Sequence, residues 1–221
     1  MNTLKGICRM TLGFALGIVP ILGGCAPPDL KWTEEVKLHD GKIVQLKRRM
    51  ELTTSGFPVQ KRGRAIYHEF CYAPMGIYWR SKPEYMPELF DVVGGKAYAK
   101  VSLGGCSICM LHGYPETDAL YFVWDAGSWK KIQYKDFPAQ VRLNLLLTAK
   151  QANPEDDAHG LVTLADKEKL DVGLSYELKV RGAKGLNELP QRKGMCNKCR
   201  SINLSTDRTS DVFLPSDQKT C

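Results

Sequence analysis

The chain has 221 residues, 43% hydrophobic and 25% charged, with a formal net charge of +7. Those proportions are ordinary for a folded globular protein and exclude a disordered, collagen-like or multi-span membrane chain. The length suits one domain with a real core plus an appendage, and no period of roughly 20 to 50 residues repeats along it.

The opening segment, MNTLKGICRM, carries Lys5 and Arg9 and no acid. The apolar run from Thr11 to Leu22 is about a dozen residues long, which suits a signal-peptide core; a membrane-spanning helix needs about twenty. Pro20 near its end discourages an uninterrupted helix. The run closes on Leu22-Gly23-Gly24-Cys25. A branched apolar residue, two small residues and a cysteine at this distance from Met1 resemble the lipobox of bacterial lipoproteins. The resemblance implies that residues 1–24 are a signal peptide, that the Cys25 thiol receives a diacylglycerol, and that the new amine is acylated after cleavage. At about 0.8 kcal/mol per buried methylene, one acyl chain holds marginally and two or three hold almost permanently. Residues 25–31 then form a lipid-anchored tether, stiffened by Pro27 and Pro28. Ala26, rather than Asp, follows the cysteine; in a Gram-negative host this implies the periplasmic face of the outer membrane. Losing Lys5 and Arg9 with the signal leaves 29 basic against 24 acidic residues, about +5.

The body, residues 32–181, reads as mainly β. In KWTEEVKLHDGKIVQLKRRMEL, Val36 and Leu38 alternate with polar residues, and so do Val44 and Leu46. That pattern is a β-hairpin. A two-residue turn at Asp40-Gly41 would set Leu38 opposite Ile43 and Val36 opposite Gln45, mixing the faces. A three-residue loop, His39-Asp40-Gly41 with Gly41 left-handed, pairs Val36 with Val44 and gathers the apolar residues on one side. A one-residue slip would turn every side chain over, so the longer loop is expected.

Six more short segments follow: AIYHEFCY, MGIYWRS, ELFDVV, KAYAKVSL, ALYFVW and WKKIQY. They are rich in aromatic and β-branched residues, and Gly94-Gly95 and Asp125-Ala126-Gly127-Ser128 read as hairpin connections. Their spacing predicts an antiparallel meander, closed as a barrel or packed as a sandwich. FPAQVRLNLLLTAK fits either a buried strand or a helix. Thr163, with Asp166 three residues on, predicts a capped helix from about Leu164 to Asp171. SYELKVRG reads as a last strand, and residues 182–221 as a loop-like tail tied by cysteines. WTEEVKLHDGK, GSWKKI and NLL are similar to stretches of a group of small uncharacterised proteobacterial proteins, a likeness that implies an architecture and no mechanism.

Six cysteines remain with the body: Cys71, Cys106, Cys109, Cys196, Cys199 and Cys221. An even number in an exported chain points to disulfides, whose pairing sequence alone leaves open. Cys196 and Cys199 are the nearest candidate partners of Cys221 in sequence, and closing that loop of about twenty residues is worth roughly 3 kcal/mol. The alternative is a cysteine-dependent protein. The two Cys-x-x-Cys pairs, Cys106/Cys109 and Cys196/Cys199, have the composition of a four-thiolate zinc site or of a thiol–disulfide oxidoreductase. An oxidoreductase would want a helix directly after its motif. Gly113 and Pro115 argue against one after Cys106, and oxidised cysteines do not bind zinc. His112, near the first pair, reads as a surface residue rather than a thiol activator or metal ligand.

Lys42, Lys47, Arg48, Arg49, Lys61, Arg62 and Arg64 form a basic stretch with Glu51 as its acid. As a surface it would attract anionic lipid, acidic glycan or an envelope protein; export argues against nucleic acid. Tyr78, Trp79, Trp124 and Trp129 suit either a glycan-binding face or core packing. No Ser-His-Asp order, zinc-protease helix or phosphate-cradling glycine loop occurs. The expectation is therefore a lipid-anchored cell-envelope protein with a binding or structural role, no catalytic residues and no cofactor.

Overall fold

The computed structural model describes residues 29–53, 65–115, 117–146, 160–169, 195–199 and 221. Strands β1 (Asp29–Lys37) and β2 (Ile43–Leu52) pair antiparallel with Val36 opposite Val44. The loop between them is the expected three-residue one. The Gly41 N–H donates to the Leu38 carbonyl at 3.0 Å, the Leu38 N–H donates to Lys42 at 2.8 Å, and Gly41 sits at φ +88°. A side chain at that φ would be strained, so glycine is required there. Val36, Leu38, Val44 and Leu46 are all buried on one face. The strand begins at Asp29, so Asp29, Leu30 and Lys31, read from sequence as the end of the tether, belong to the sheet.

Strand β3 (Ala65–Tyr72) passes through a 3-10 turn at Ala73–Met75 into β4 (Ile77–Ser81). Strands β5 (Tyr85–Val93), β6 (Lys96–Leu103), β7 (Ala119–Asp125) and β8 (Ser128–Ile132) form a second meander. Its two tight turns are Gly94-Gly95 and Ala126-Gly127, and all four residues have positive φ. That backbone matches the twist of the flanking strands. The first sheet has the order β4-β3-β2-β1-β9 and the second β5-β6-β7-β8, where β9 is Leu161–Val162. Every pairing among β1 to β8 is antiparallel; β9 adds a short parallel bridge to β1.

The two sheets bury their facing sides against each other, so the arrangement is a sandwich. Phe70 stacks on Trp79 at 5.6 Å, and Trp79 meets Phe122 of the second sheet edge-on at 5.2 Å. Trp79 is thus a core residue and offers nothing to a glycan. Trp129 caps the same cluster, its indole donating to the Tyr78 carbonyl at 2.9 Å, and Trp124 packs on it at 5.3 Å. The hairpin loop of the first sheet is pinned to the second sheet by His39, whose N–H and ring nitrogen reach the buried Asp91 carboxylate at 2.9 and 2.8 Å.

Residues 137–146 form neither a strand nor a helix. Phe137, Val141 and Leu143 cover the outer side of the second sheet with Leu89, Ala119 and Tyr121. Asn144 then substitutes for a strand: its side chain accepts from the Phe90 N–H at 3.0 Å and donates to the Phe90 and Lys37 carbonyls at 2.8 and 3.1 Å. One amide side chain thereby joins β5 to the end of β1.

Three short helices complete the described structure: α1 (Cys106–Leu111), α2 (Leu164–Lys169) and α3 (Met195–Cys199). Helix α2 carries the expected reciprocal cap. The Asp166 N–H donates to the Thr163 hydroxyl at 3.1 Å, and the Thr163 N–H donates to the Asp166 carboxylate at 3.0 Å. Helix α1 corrects the expectation that no helix follows Cys106. It is six residues long and stops before Gly113, whose left-handed φ of +69° ends the turn. Helix α3 corrects the loop-like reading of the tail at its five residues. The signal peptide, Cys25, the basic residues Lys61, Arg62 and Arg64, and the segment SYELKVRG lie outside the described residues.

Candidate functional site

The six body cysteines form three disulfides: Cys71–Cys221, Cys106–Cys199 and Cys109–Cys196, with Cα separations of 5.5, 5.2 and 5.1 Å. Cys221 therefore bridges to β3, not to its sequence neighbours Cys196 or Cys199. The reason is visible locally, because those two sulfurs are already taken by helix α1. The two Cys-x-x-Cys motifs sit on facing helical turns, and the bonds run between motifs rather than within either one. An oxidoreductase motif closes on itself, and zinc needs thiolates; neither condition is met by this pairing. Among the described residues no group of three or more His, Cys, Asp or Glu is placed to hold a metal. Asp118 fixes the docking of α3, accepting from the Cys196 N–H at 2.8 Å. His112 ends α1 against Tyr85, its Nε2 at 3.1 Å from the tyrosine hydroxyl, and burial lowers its pKa to about 4.

Charge inside the sandwich concentrates at one end of the first sheet. Glu34 of β1 and Arg48 of β2 share the inward parity of Val36 and Leu46, and both are buried. Arg48 donates to Glu34 at 2.8 Å, Lys167 of α2 lies 2.6 Å from the same carboxylate, and the Leu146 N–H donates to it at 2.7 Å. Arg48 also donates to the Leu146 carbonyl at 3.2 Å and lies over the Trp32 ring at 5.2 Å. Arg48 is thus a correction to the basic surface read from sequence: the alternation of β2 turns it inward, and Glu34 neutralises it. His68 on β3 lies on the same inner face and is held neutral, its pKa lowered to about 4 by burial and then by Arg48. This cluster closes the end of the core and ties α2 and Leu146 to the sheet; its groups face one another rather than solvent.

The outer face of the first sheet presents a different arrangement. Cross-strand register sets Thr33, Lys47, Cys71 and Tyr78 in one row, and Lys31, Arg49, Glu69 and Arg80 in the next. Thr33 is short and Cys71 carries its bridge to Cys221; among these rows lies a groove of about 320 Å³. Arg49 reaches Asp29 at 2.9 Å and Glu69 at 3.4 Å, and Arg80 reaches Glu69 at 3.4 Å and Glu51 at 3.3 Å. Glu69, the acid in the groove lining, is thus shared by two arginines. Lys31 stands 3.9 Å from Asp29 with 58% of its side chain exposed, and Lys47 points outward from the floor row. The Tyr78 hydroxyl lies beside Glu69; burial, then that charge, pushes its pKa up to about 12, so it stays a hydrogen-bond donor. Lys42, by contrast, is exposed on the hairpin loop at the far end of the sheet.

The basic stretch thus divides among several places. Lys42 and Lys47 are at the surface, Arg49 is braced by two carboxylates, and Arg48 is inside. Thr33, Glu69 and Tyr78 complete the groove; only strand pairing brings them to Lys47. No family model, curated protein or solved structure matches the chain.

Proposed function

We propose that the chain is a lipid-anchored cell-envelope protein that binds or braces a partner at the membrane surface and performs no catalysis. The observation that carries this reading is the pairing of all six body cysteines as disulfides. Such pairs persist in oxidising, extracytoplasmic compartments and are rare in the cytosol. That agrees with the lipobox at Leu22-Gly23-Gly24-Cys25, which supplies the address. The domain itself has the character of a brace. Two meanders share one core, the six body cysteines pair with one another, and the buried ions pair with opposite charges.

Replacing the acylated residue tests it. Cys25→Ser is expected to leave the signal peptide attached and to abolish incorporation of labelled palmitate. Processing and palmitate labelling equal to those of the parent chain would refute the anchor.

A further inference from the structure

The groove on the outer face of the first sheet combines two features that point to one ligand chemistry. Its lining acid, Glu69, is shared by Arg49 and Arg80, while Lys47 and the largely exposed Lys31, 3.9 Å from Asp29, stand outward as cations. Tyr78 lines the wall, its hydroxyl buried beside Glu69. Its volume of about 320 Å³ has room for a phosphate with its ester arms. A third feature locates the groove. Strand β1 begins at Asp29, so Ala26, Pro27 and Pro28 alone separate the sheet from Cys25. Four residue steps span at most about 14 Å, and Thr33 lies about 13 Å further along the strand. The groove is therefore held within about 27 Å of the acylated residue. Lys31 is nearer still, within reach of the headgroup layer of the bilayer that receives the acyl chains.

We propose that this groove, lined by Lys31, Thr33, Lys47, Arg49 and Tyr78, takes the phosphate of an anionic lipid headgroup in the membrane to which Cys25 ties the chain. The proposal rests on the lipoprotein reading and adds an orientation to it. The lipid anchor retains the protein, and the groove lays the outer face of the first sheet against the bilayer. The sandwich and its second sheet are then presented away from the surface. Lys31 and Lys47 supply the charge and Thr33 the space.

The test uses the mature acylated chain in vesicles of phosphatidylcholine, alone or with about one-third phosphatidylglycerol. Acetylation of individual lysines by an amine-reactive ester is followed by mass spectrometry. Lys31 and Lys47 are expected to react about fivefold more slowly in the anionic vesicles, while Lys42 at the far end of the sheet is unchanged. Thr33→Glu, which places a carboxylate on the groove floor, is expected to abolish the difference. Equal rates in the two vesicles would overturn the headgroup site, and so would equal slowing of Lys42, which marks general attraction to the surface. Protection of the same size from inorganic phosphate with neutral vesicles would assign the groove to a free anion and overturn the lipid as its occupant. A chain that floats with neither vesicle would refute the anchor and this proposal together; one that floats but shows equal rates refutes the groove alone.

Discussion

Glu34→Ala is expected to lower the unfolding free energy by roughly 3–5 kcal/mol, read from urea unfolding with the disulfides intact. Glu34 has no exposed surface. Its carboxylate is the shared counter-charge of Arg48 at 2.8 Å and Lys167 at 2.6 Å, and it also accepts the Leu146 N–H at 2.7 Å. Truncation strands two buried cations and one backbone donor, and such groups cost far more unpaired than the pair itself contributes. Arg48→Met is expected to cost less, because it leaves one carboxylate facing one ammonium with an apolar side chain in the vacated space. Equal losses in the two variants would contradict the counter-charge account. The neighbouring His68 adds an acid sensitivity. The unfolded chain takes up this proton near pH 6.5, whereas in the folded protein burial and Arg48 delay it to about 4. Between those values protons favour the unfolded state, so stability is full above pH 6.5 and falls by up to roughly 3 kcal/mol as pH drops to about 4. His68→Phe should remove that share of the slope.

The second large effect concerns the disulfides and how they depend on one another. With both bonds of the α1–α3 pair present, either one closes a ring of about eight residues, worth about 2–3 kcal/mol in the chain-entropy model. Removing one of them, as in Cys109→Ala/Cys196→Ala, leaves the other holding the long connection. Removing both is expected to cost about 7 kcal/mol, more than the sum of the single losses. Cys71–Cys221 has no such partner. Traced through Cys106–Cys199 it closes a ring of about sixty residues, so its loss alone should cost about 4 kcal/mol. The bond at the chain terminus, with Cys221 exposed, is thus expected to matter more than either single bond of the helical pair. Thermal or urea unfolding of the three double variants and the quadruple variant checks the order.

Much of this architecture is legible because it is local. The faces of the first hairpin follow from alternation plus the left-handed need at Gly41, and the cap of α2 from Thr163 and Asp166. The inward direction of Arg48 is contained in the same alternation, continued through β2. Arg48 shares the parity of Val44, Leu46, Met50 and Leu52, as Glu34 shares that of Trp32 and Val36. The charge of Arg48 argues for solvent, and its partner Glu34, fourteen residues away, is what stabilises the inward turn. The cysteine pairing was not legible, since it depends on which loops meet in space. Helices α1 and α3 span six and five residues. That is too short for a 3.6-residue period to register, and disulfides hold them where propensity would not. The groove escaped for a related reason: its lining comes from four strands, and no segment of the chain holds more than a few of its residues.

One chemical state underlies the proposed function: a single thiol carrying lipid and the other six joined in pairs. It is read most directly from the mass of the mature chain, extracted from membranes in detergent without reductant. The predicted result is a chain starting at Cys25, heavier by its lipid and lighter by six hydrogens. Its unreduced peptides should join Cys71 to Cys221, Cys106 to Cys199 and Cys109 to Cys196. A chain without lipid, or one whose body thiols are free or bound to zinc, would contradict it.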